Sequence, residues 1–512
     1  MQPTPPTFPT DPSGLPEATR PALLELADGD VVDLRIGAVA KTLGDTTVRM
    51  LGYNGSIPGP TLQVRQGSEV VVHVVNEGDL EATVHWHGLR LENKYDGVPH
   101  ETQTPIPVGG EFTYRIRFPD EGLYWYHPHI REDYTQEMGL YGNIVVVPAE
   151  PDYWPPANRD VLLTLDDLLL EDGKIAPFSP VETTYTAMGR FGNVLLIGGE
   201  PDLSLTARAG EVVRLWLTNT ANTRVFNVTL PGAQMKLVGG DSGRVEHEEF
   251  ISEVLLSPSE RAVVDVLFDR PGQLELQHRT PDRAWRLATI TVTAEQASPW
   301  LAGQFHLLRH APELAEERQG LVAWLDAPPD KTLEFAVETG ELGGPAQPAG
   351  DAQAAPPASG AEDHHGDDRG QGPAGGIEWE DDKPDANRLT TPANLRWKLV
   401  DPATGAANAA IGWHFTVGDR VKIRLVNDMD HPMQHPFHLH GAGRFLVLAR
   451  DGVTEPNLVW KDTVLVCDGE TVDILFDVTN PGLWMAHCHI AEHMQSGMMF
   501  SFTVACAQGA AR

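Results

Sequence analysis

One short pattern occurs three times along this chain, in the same order and with the same internal spacing. The segments are QGSEVVVHVVN (66–76), AGEVVRLWLTN (209–219) and VGDRVKIRLVN (417–427). In each, a glycine precedes an asparagine by nine residues: Gly67 and Asn76, Gly210 and Asn219, Gly418 and Asn427. Between them runs an alternating, β-branched stretch, which reads as a half-buried strand entered through a turn. A second element follows each copy: GEFTYRIRFPDEGLYWYH (110–127), SERAVVDVLFDRPGQLELQH (259–278) and GETVDILFDVTNPGLWMAH (469–487). Its turn glycine is Gly122, Gly272 or Gly482, and five residues later stand His127, Gln277 and His487.

Two linked patterns that recur in order mark three homologous β-units. The expected domains are 31–150, 151–305 and 331–508, after a tail at 1–30. A connector at 306–330 has helical character in HLLRHAPELAEERQ (306–319). Short strands between Gly/Pro turns imply antiparallel sandwiches or barrels. Residues 340–376, rich in Pro, Gly, Ala and Asp, read as a disordered insertion in the third unit.

Composition narrows the partners. With 38 basic and 72 acidic residues the formal charge is -34. That excess argues against nucleic acid and anionic membrane, and a solvated acidic surface accounts for it. No stretch approaches the roughly 20 apolar residues of a membrane helix. Three cysteines cannot all pair, and Cys467 and Cys506 read as small apolar residues in or near strands. The start, MQPTPPTFPTDPSG, has neither the basic residues nor the apolar core of a signal peptide. Either the protein is cytoplasmic or a leader has been removed.

Four histidine clusters carry the chemistry: HWHG (85–88), HPH (127–129), HPFHLH (435–440) and HCHIAEHMQSGM (487–498). None lies in the second copy. Residues i and i+2 of a strand share a face. His85/His87, His127/His129, His438/His440 and His487/His489 can therefore each aim two imidazoles at one place. Eight imidazoles exceed the needs of one ion and imply a cluster. Cys488 lies between two of them and points the other way, and His435 is an odd number of residues from His438. His493 and Met498 follow Cys488 at successive steps of five. Two histidines, a thiolate and a loose methionine match a blue-copper site. Zinc would take the His and Cys ligands but is redox-inactive and has little use for a thioether; a ferrous ion is the remaining alternative, with the His, Cys and Met set favouring copper. Met494 and Met499 compete with Met498. Met494 has little free chain beside His493, and Met499 is expected to pack in the core with Phe500 or Phe502.

These clusters, in this order, resemble the signature of the multicopper oxidases, of the bacterial laccase-like three-domain type. The resemblance covers nearly all of the chain except the tail and the insertion. It implies an all-β fold of three cupredoxin-like Greek-key β-barrel or sandwich domains, and four copper ions. His435, Cys488, His493 and Met498 would hold the type 1 copper, and His85 and His438 the type 2 copper. His87, His127 and His489 would hold one type 3 copper; His129, His440 and His487 the other. Dioxygen and a small reducing substrate are the implied partners, and a monomer is expected. The family resemblance places such proteins in the periplasm or outside the cell.

In YDGVP, Asp96 is nominated as proton relay and as a residue that orients ligands; a turn-forming Asp-Gly is the alternative. Some bacterial relatives carry a carboxylate directly after the last type 1 histidine, where this chain has Met494. Glu132, Asp133 and Glu137 are candidate substitutes, although a solvated acidic loop is the favoured reading. The leading function is oxidation of phenols or aromatic amines. The alternatives are a metallo-oxidase of Cu(I), Fe(II) or Mn(II), and a non-catalytic cupredoxin scaffold. Some relatives that oxidise Cu(I) carry a methionine-rich insertion, whereas the one here contains EDHHGDD (362–368) and no methionine; His364 and His365 are candidate transient metal binders, although a disordered polar linker is the favoured reading.

Overall fold

The computed structural model describes residues 7–340, 375–428 and 433–507. The expected disorder of 340–376 therefore falls almost wholly outside the described residues, as do His364 and His365.

Strand follows strand through three successive sheet pairs. Residues 23–147 build a four-stranded and a five-stranded sheet. Residues 159–296 build a six-stranded and a five-stranded sheet with a two-stranded ribbon, and residues 331–505 a seven-stranded and a five-stranded sheet. Each pair encloses its own apolar core. Leu34, Val72 and Trp86 belong to the first, Leu165, Leu215 and Val264 to the second, and Ile423, Ile474 and Trp484 to the third. The fold is all-β, as expected.

The repeated strands are Glu69–Glu77, Glu211–Asn219 and Arg420–Asn427. Each runs parallel to the first strand of its sheet, with Ile36 beside Asn76, Leu165 beside Asn219 and Glu334 beside Val426. Each also runs antiparallel to the strand of the second element, with Val72 opposite Tyr114, Leu215 opposite Val264 and Ile423 opposite Ile474. Gly67, Gly210 and Gly418 enter these strands at φ 86°, 79° and 99°, a region that suits glycine.

The closing asparagines are fully buried. A buried donor must be satisfied, and the three Nδ2 groups are satisfied alike. Asn76 Nδ2 donates to the carbonyls of Leu80 and Ile106, and Asn219 Nδ2 to those of Arg224 and Leu256. Asn427 Nδ2 donates to the carbonyls of Met433, Val466 and Cys467. The repeated asparagine thus ties the loop after its strand to more distant backbone.

The connector helix runs Pro312–Leu325 rather than over 306–319. Pro312 sits in its first turn, where a missing N–H costs little. Residues just before it bridge instead to the second unit, where Glu248 N donates to Arg309 O and Ala311 N to Glu246 O. No helix among the described residues is long and apolar enough to cross a membrane.

Candidate metal centre

Strand ends from the first and third units face each other. His85 lies opposite His127 where the strands His85–His87 and Gly122–His127 pair. His438 lies opposite His487 where His435–Leu439 meets Gly482–Cys488. Across the interface, the His87 and His438 rings stack at 3.8 Å and those of His85 and His440 lie 4.0 Å apart. His127 and His489 are separated by 5.2 Å, His129 and His487 by 5.3 Å. All eight side chains expected to converge do so, none more than 4% exposed.

Each ring but one is anchored through a single nitrogen. Nδ1 of His85 lies 2.7 Å from the Asp96 carbonyl, that of His127 2.9 Å from the Pro128 carbonyl, and that of His438 2.8 Å from the Asp462 carbonyl. His440 Nδ1 meets Asp96 Oδ2 at 2.8 Å, and His487 Nδ1 the Cys488 carbonyl at 2.8 Å. His129 Nδ1 lies 3.0 Å from Glu132 Oε1. His87 is reversed, with Nε2 2.9 Å from Asp462 Oδ1. The opposite nitrogens of His85, His87, His127, His129 and His438 are buried without a hydrogen-bond partner, and His440 Nε2 and His487 Nε2 lie 3.1 Å apart. His489 is the exception, with neither nitrogen bonded.

Such orphaned lone pairs are costly unless something binds them. Burial, reinforced by neighbouring imidazoles, holds His87, His127, His438, His440 and His487 well below the usual histidine range, and brings His489 down to about 3. Burial thus favours the neutral imidazole, the form that can bind a metal ion. His129 is shifted upward: burial opposes the charge, but the Glu132 carboxylate outweighs it.

On the other face of the strand Gly482–Cys488, toward the core of the third unit, Cys488 Sγ lies 3.5 Å from His435 Nδ1 and 3.8 Å from His493 Nδ1, and these two nitrogens are 3.2 Å apart. Burial pushes the thiol up, so a thiolate there needs a cation. The indole of Trp397 packs 4.4 Å from the His493 ring and 4.8 Å from that of His435. Met498 is fully buried in the same core as Cys488, whose N–H donates to the Met498 carbonyl at 3.1 Å. Met499 departs from expectation: it is 36% exposed. Along Met499–Ala505 the buried residues are Phe500, Phe502 and Val504, so the strand's period turns Met499 outward.

Asp96 is both a turn residue and part of the centre. It follows the short 3-10 helix Asn93–Tyr95 and is fully buried. Gly97 continues the turn at φ 82°, where an added Cβ would lie 2.1 Å from the Val84 carbonyl oxygen. Asp96 Oδ1 has no hydrogen-bond partner and lies 3.4 Å from His85 Nδ1.

The solvated reading of Glu132, Asp133 and Glu137 is overturned. They are 1%, 3% and 1% exposed. The helix Glu132–Thr135 packs against the helix Ala491–Gln495. Asp133 pairs with Arg131, and Glu137 Oε1 lies 3.7 Å from Arg190 Nε. Met494, also on the second helix, is buried.

Sequence reasoning missed Asp462, Arg261, Trp397 and Glu492. Glu492 accepts from Thr223 Oγ1 at 3.2 Å, and burial, with Asp133 adding repulsion, pushes its carboxyl up to about 8. Its signal was visible as an acid beside His493 in an otherwise apolar turn; the other three carried no local mark.

Two family models described as multicopper oxidase match residues 37–151 and 379–508. The multicopper oxidase MmcO of Mycobacterium tuberculosis is 28% identical over 485 residues, spanning 89% of this chain and 83% of that protein. Laccase-3 of Oryza sativa subsp. japonica is 26% identical over 518 residues, spanning 90% and 89%. The crystal structure of a multi-copper oxidase from Pseudomonas thermotolerans superposes with a TM-score of 0.66 at 26% identity, covering 94% of this chain and all of that one.

Proposed function

The chain belongs to the multicopper oxidase family and is a copper-dependent oxidoreductase with dioxygen as acceptor; from that premise we propose that its electron donor is a phenol or an aromatic amine. We assign His435, Cys488, His493 and Met498 to the type 1 copper, and His85 and His438 to type 2. His87, His127 and His489 go to one type 3 ion, His129, His440 and His487 to the other. The observation that carries the assignment is the set of buried imidazole nitrogens left without partners between the two units. When bound, copper supplies one-electron acceptance at the first site and reduction of dioxygen to water at the cluster.

The chain's own residues do the rest. Cys488 is bonded through the backbone to His487 and His489, so electrons have a short covalent route between sites. Asp96 holds His85 through its carbonyl and His440 through Oδ2, which leaves Oδ1 to hold or pass a proton. Burial of every ligand excludes bulk water from the centre.

An aromatic donor is supported by the laccase among the relatives and by the absence of methionine from 340–376. A metal-ion donor is supported by the complete burial of His435 and His493, which leaves no imidazole edge for a large ring to touch. Steady-state kinetics under air on a phenol, an aromatic amine and Cu(I) separate the two. Deletion of 343–376 sharpens the comparison. Phenol turnover is expected to stay the same or rise, and a selective loss on Cu(I) would favour the metal-ion donor. Equal loss on every substrate would mean that the segment supports folding.

Met498→Leu tests whether this thioether would help hold the type 1 copper. Leucine keeps the volume but cannot donate. The type 1 reduction potential is expected to rise, because a weak thioether donor favours Cu(II). Redox titration of single Met→Leu variants at 494, 498 and 499 checks this, with a rise expected at 498 alone.

A further inference from the structure

The second unit supplies no histidine to the centre, yet one of its side chains reaches the residues that hold it. Arg261 begins the strand Arg261–Phe268 and lies opposite Thr218. At the matching ladder positions stand Glu111, opposite Val75, and Thr471, opposite Val426. The arginine is therefore peculiar to the copy without ligands.

Its guanidinium is fully buried, and four of its five N–H groups donate. Nη1 and Nη2 donate to Asp462 Oδ1 and Oδ2 at 2.7 and 2.5 Å, Nη1 also to the Ser259 carbonyl at 3.0 Å, and Nε to the Leu123 carbonyl at 2.9 Å. Such a two-pronged pair fixes the carboxylate in plane as well as in place. Asp462 then acts on two imidazoles: Oδ1 on His87 Nε2, and its backbone carbonyl on His438 Nδ1. Thr463 Oγ1 braces the contact, donating to Asp462 Oδ1 at 3.0 Å and lying 3.1 Å from His87 Nε2.

A carboxylate only accepts, so the proton of neutral His87 sits on Nε2 and the lone pair on Nδ1. That explains why His87 faces the centre with Nδ1 while His85, His127, His129 and His438 face it with Nε2. The glycine after His87 fits the same account. A Cβ on Gly88 would lie 2.4 Å from Asp462 Oδ2 and 3.0 Å from Arg261 Nη2. HWHG ends in glycine because the backbone there takes φ 84° and the ion pair occupies the space a Cβ would need.

We propose that Arg261 is a positioning residue of the copper cluster: through Asp462 it sets the tautomer and ring plane of His87 and steadies His438. The unit without ligands thereby governs copper occupancy between the other two. The inference rests on the assignment of His87 and His438 as ligands.

The test is copper titration of the apoprotein, with bound copper counted by elemental analysis and the thermal midpoint of each apoprotein measured alongside. Arg261→Lys keeps the charge but loses the fork. Arg261→Met combined with Asp462→Asn removes both members of the pair and leaves the buried Asp241, 3.8 Å from Arg261 Nη1, to its other partner Lys461 at 3.1 Å, which keeps the test open if the lysine variant does not fold. Both are expected to keep the blue type 1 copper while affinity for the three cluster ions falls about 10–100-fold. Wild-type cluster affinity in these variants, whatever their thermal midpoints, would reduce the pair to a join between units. A wild type that binds type 1 copper alone would instead sink the ligand assignment beneath the inference.

Discussion

Cys488→Ser is expected to abolish both the blue colour and oxidase turnover while leaving three of the four copper ions bound. The colour depends on a thiolate donor, and Cys488 Sγ is the sulfur set between His435 Nδ1 and His493 Nδ1. Serine keeps the shape but buries a hydroxyl where the chain offers imidazoles. That substitution costs about 1–3 kcal/mol if the group is left unpaired, too little to unfold three separate cores. Absorption spectra, copper analysis and circular dichroism of the purified variant check the three parts of the statement. A blue variant, or a colourless active wild type, would overturn the type 1 assignment.

Asp96→Asn should act on the opposite half of the reaction. The amide oxygen can still accept from His440 Nδ1, and asparagine tolerates the turn before Gly97, so the ligands stay in place. Only the exchangeable acid at Asp96 is lost. Reoxidation of the reduced enzyme by dioxygen is expected to slow by about 10²–10⁴-fold, whereas anaerobic reduction of the type 1 copper by substrate keeps its rate. Stopped-flow measurement of the two half-reactions separates them. If reoxidation is unaffected, Asp96 is a turn and a tether only, and Glu132, 3.0 Å from His129 Nδ1, becomes the acid to replace next.

The convergence of the four histidine pairs was legible because strand geometry is local. Two residues apart on a strand means one face, so HWH, HPH, HLH and HCH each announced a pair. The turn glycines and buried asparagines announced the units that bring those pairs together. What surrounds the ligands was not legible, because it depends on which faces of distant units meet. Glu132 sits in REDYTQE, a run whose polarity reads as a wet loop, yet the helix Ala491–Gln495 covers it. Asp462 and Arg261 lie 201 residues apart and carry no shared spacing. Met499 shows the reverse error: an apolar residue assigned inward when the strand's own period, with Phe500 and Phe502 inside, already placed it outside.

The contacts that build the cluster join residues far apart along the chain: Asp96 and His440 are 344 positions apart, and His87 and Asp462 375. During synthesis His85, His87, His127 and His129 emerge long before their counterparts. At about 5–20 residues per second, tens of seconds separate the two halves of the site. Copper offered in that interval would meet half-sites only, so the full complement of ions belongs to the finished chain.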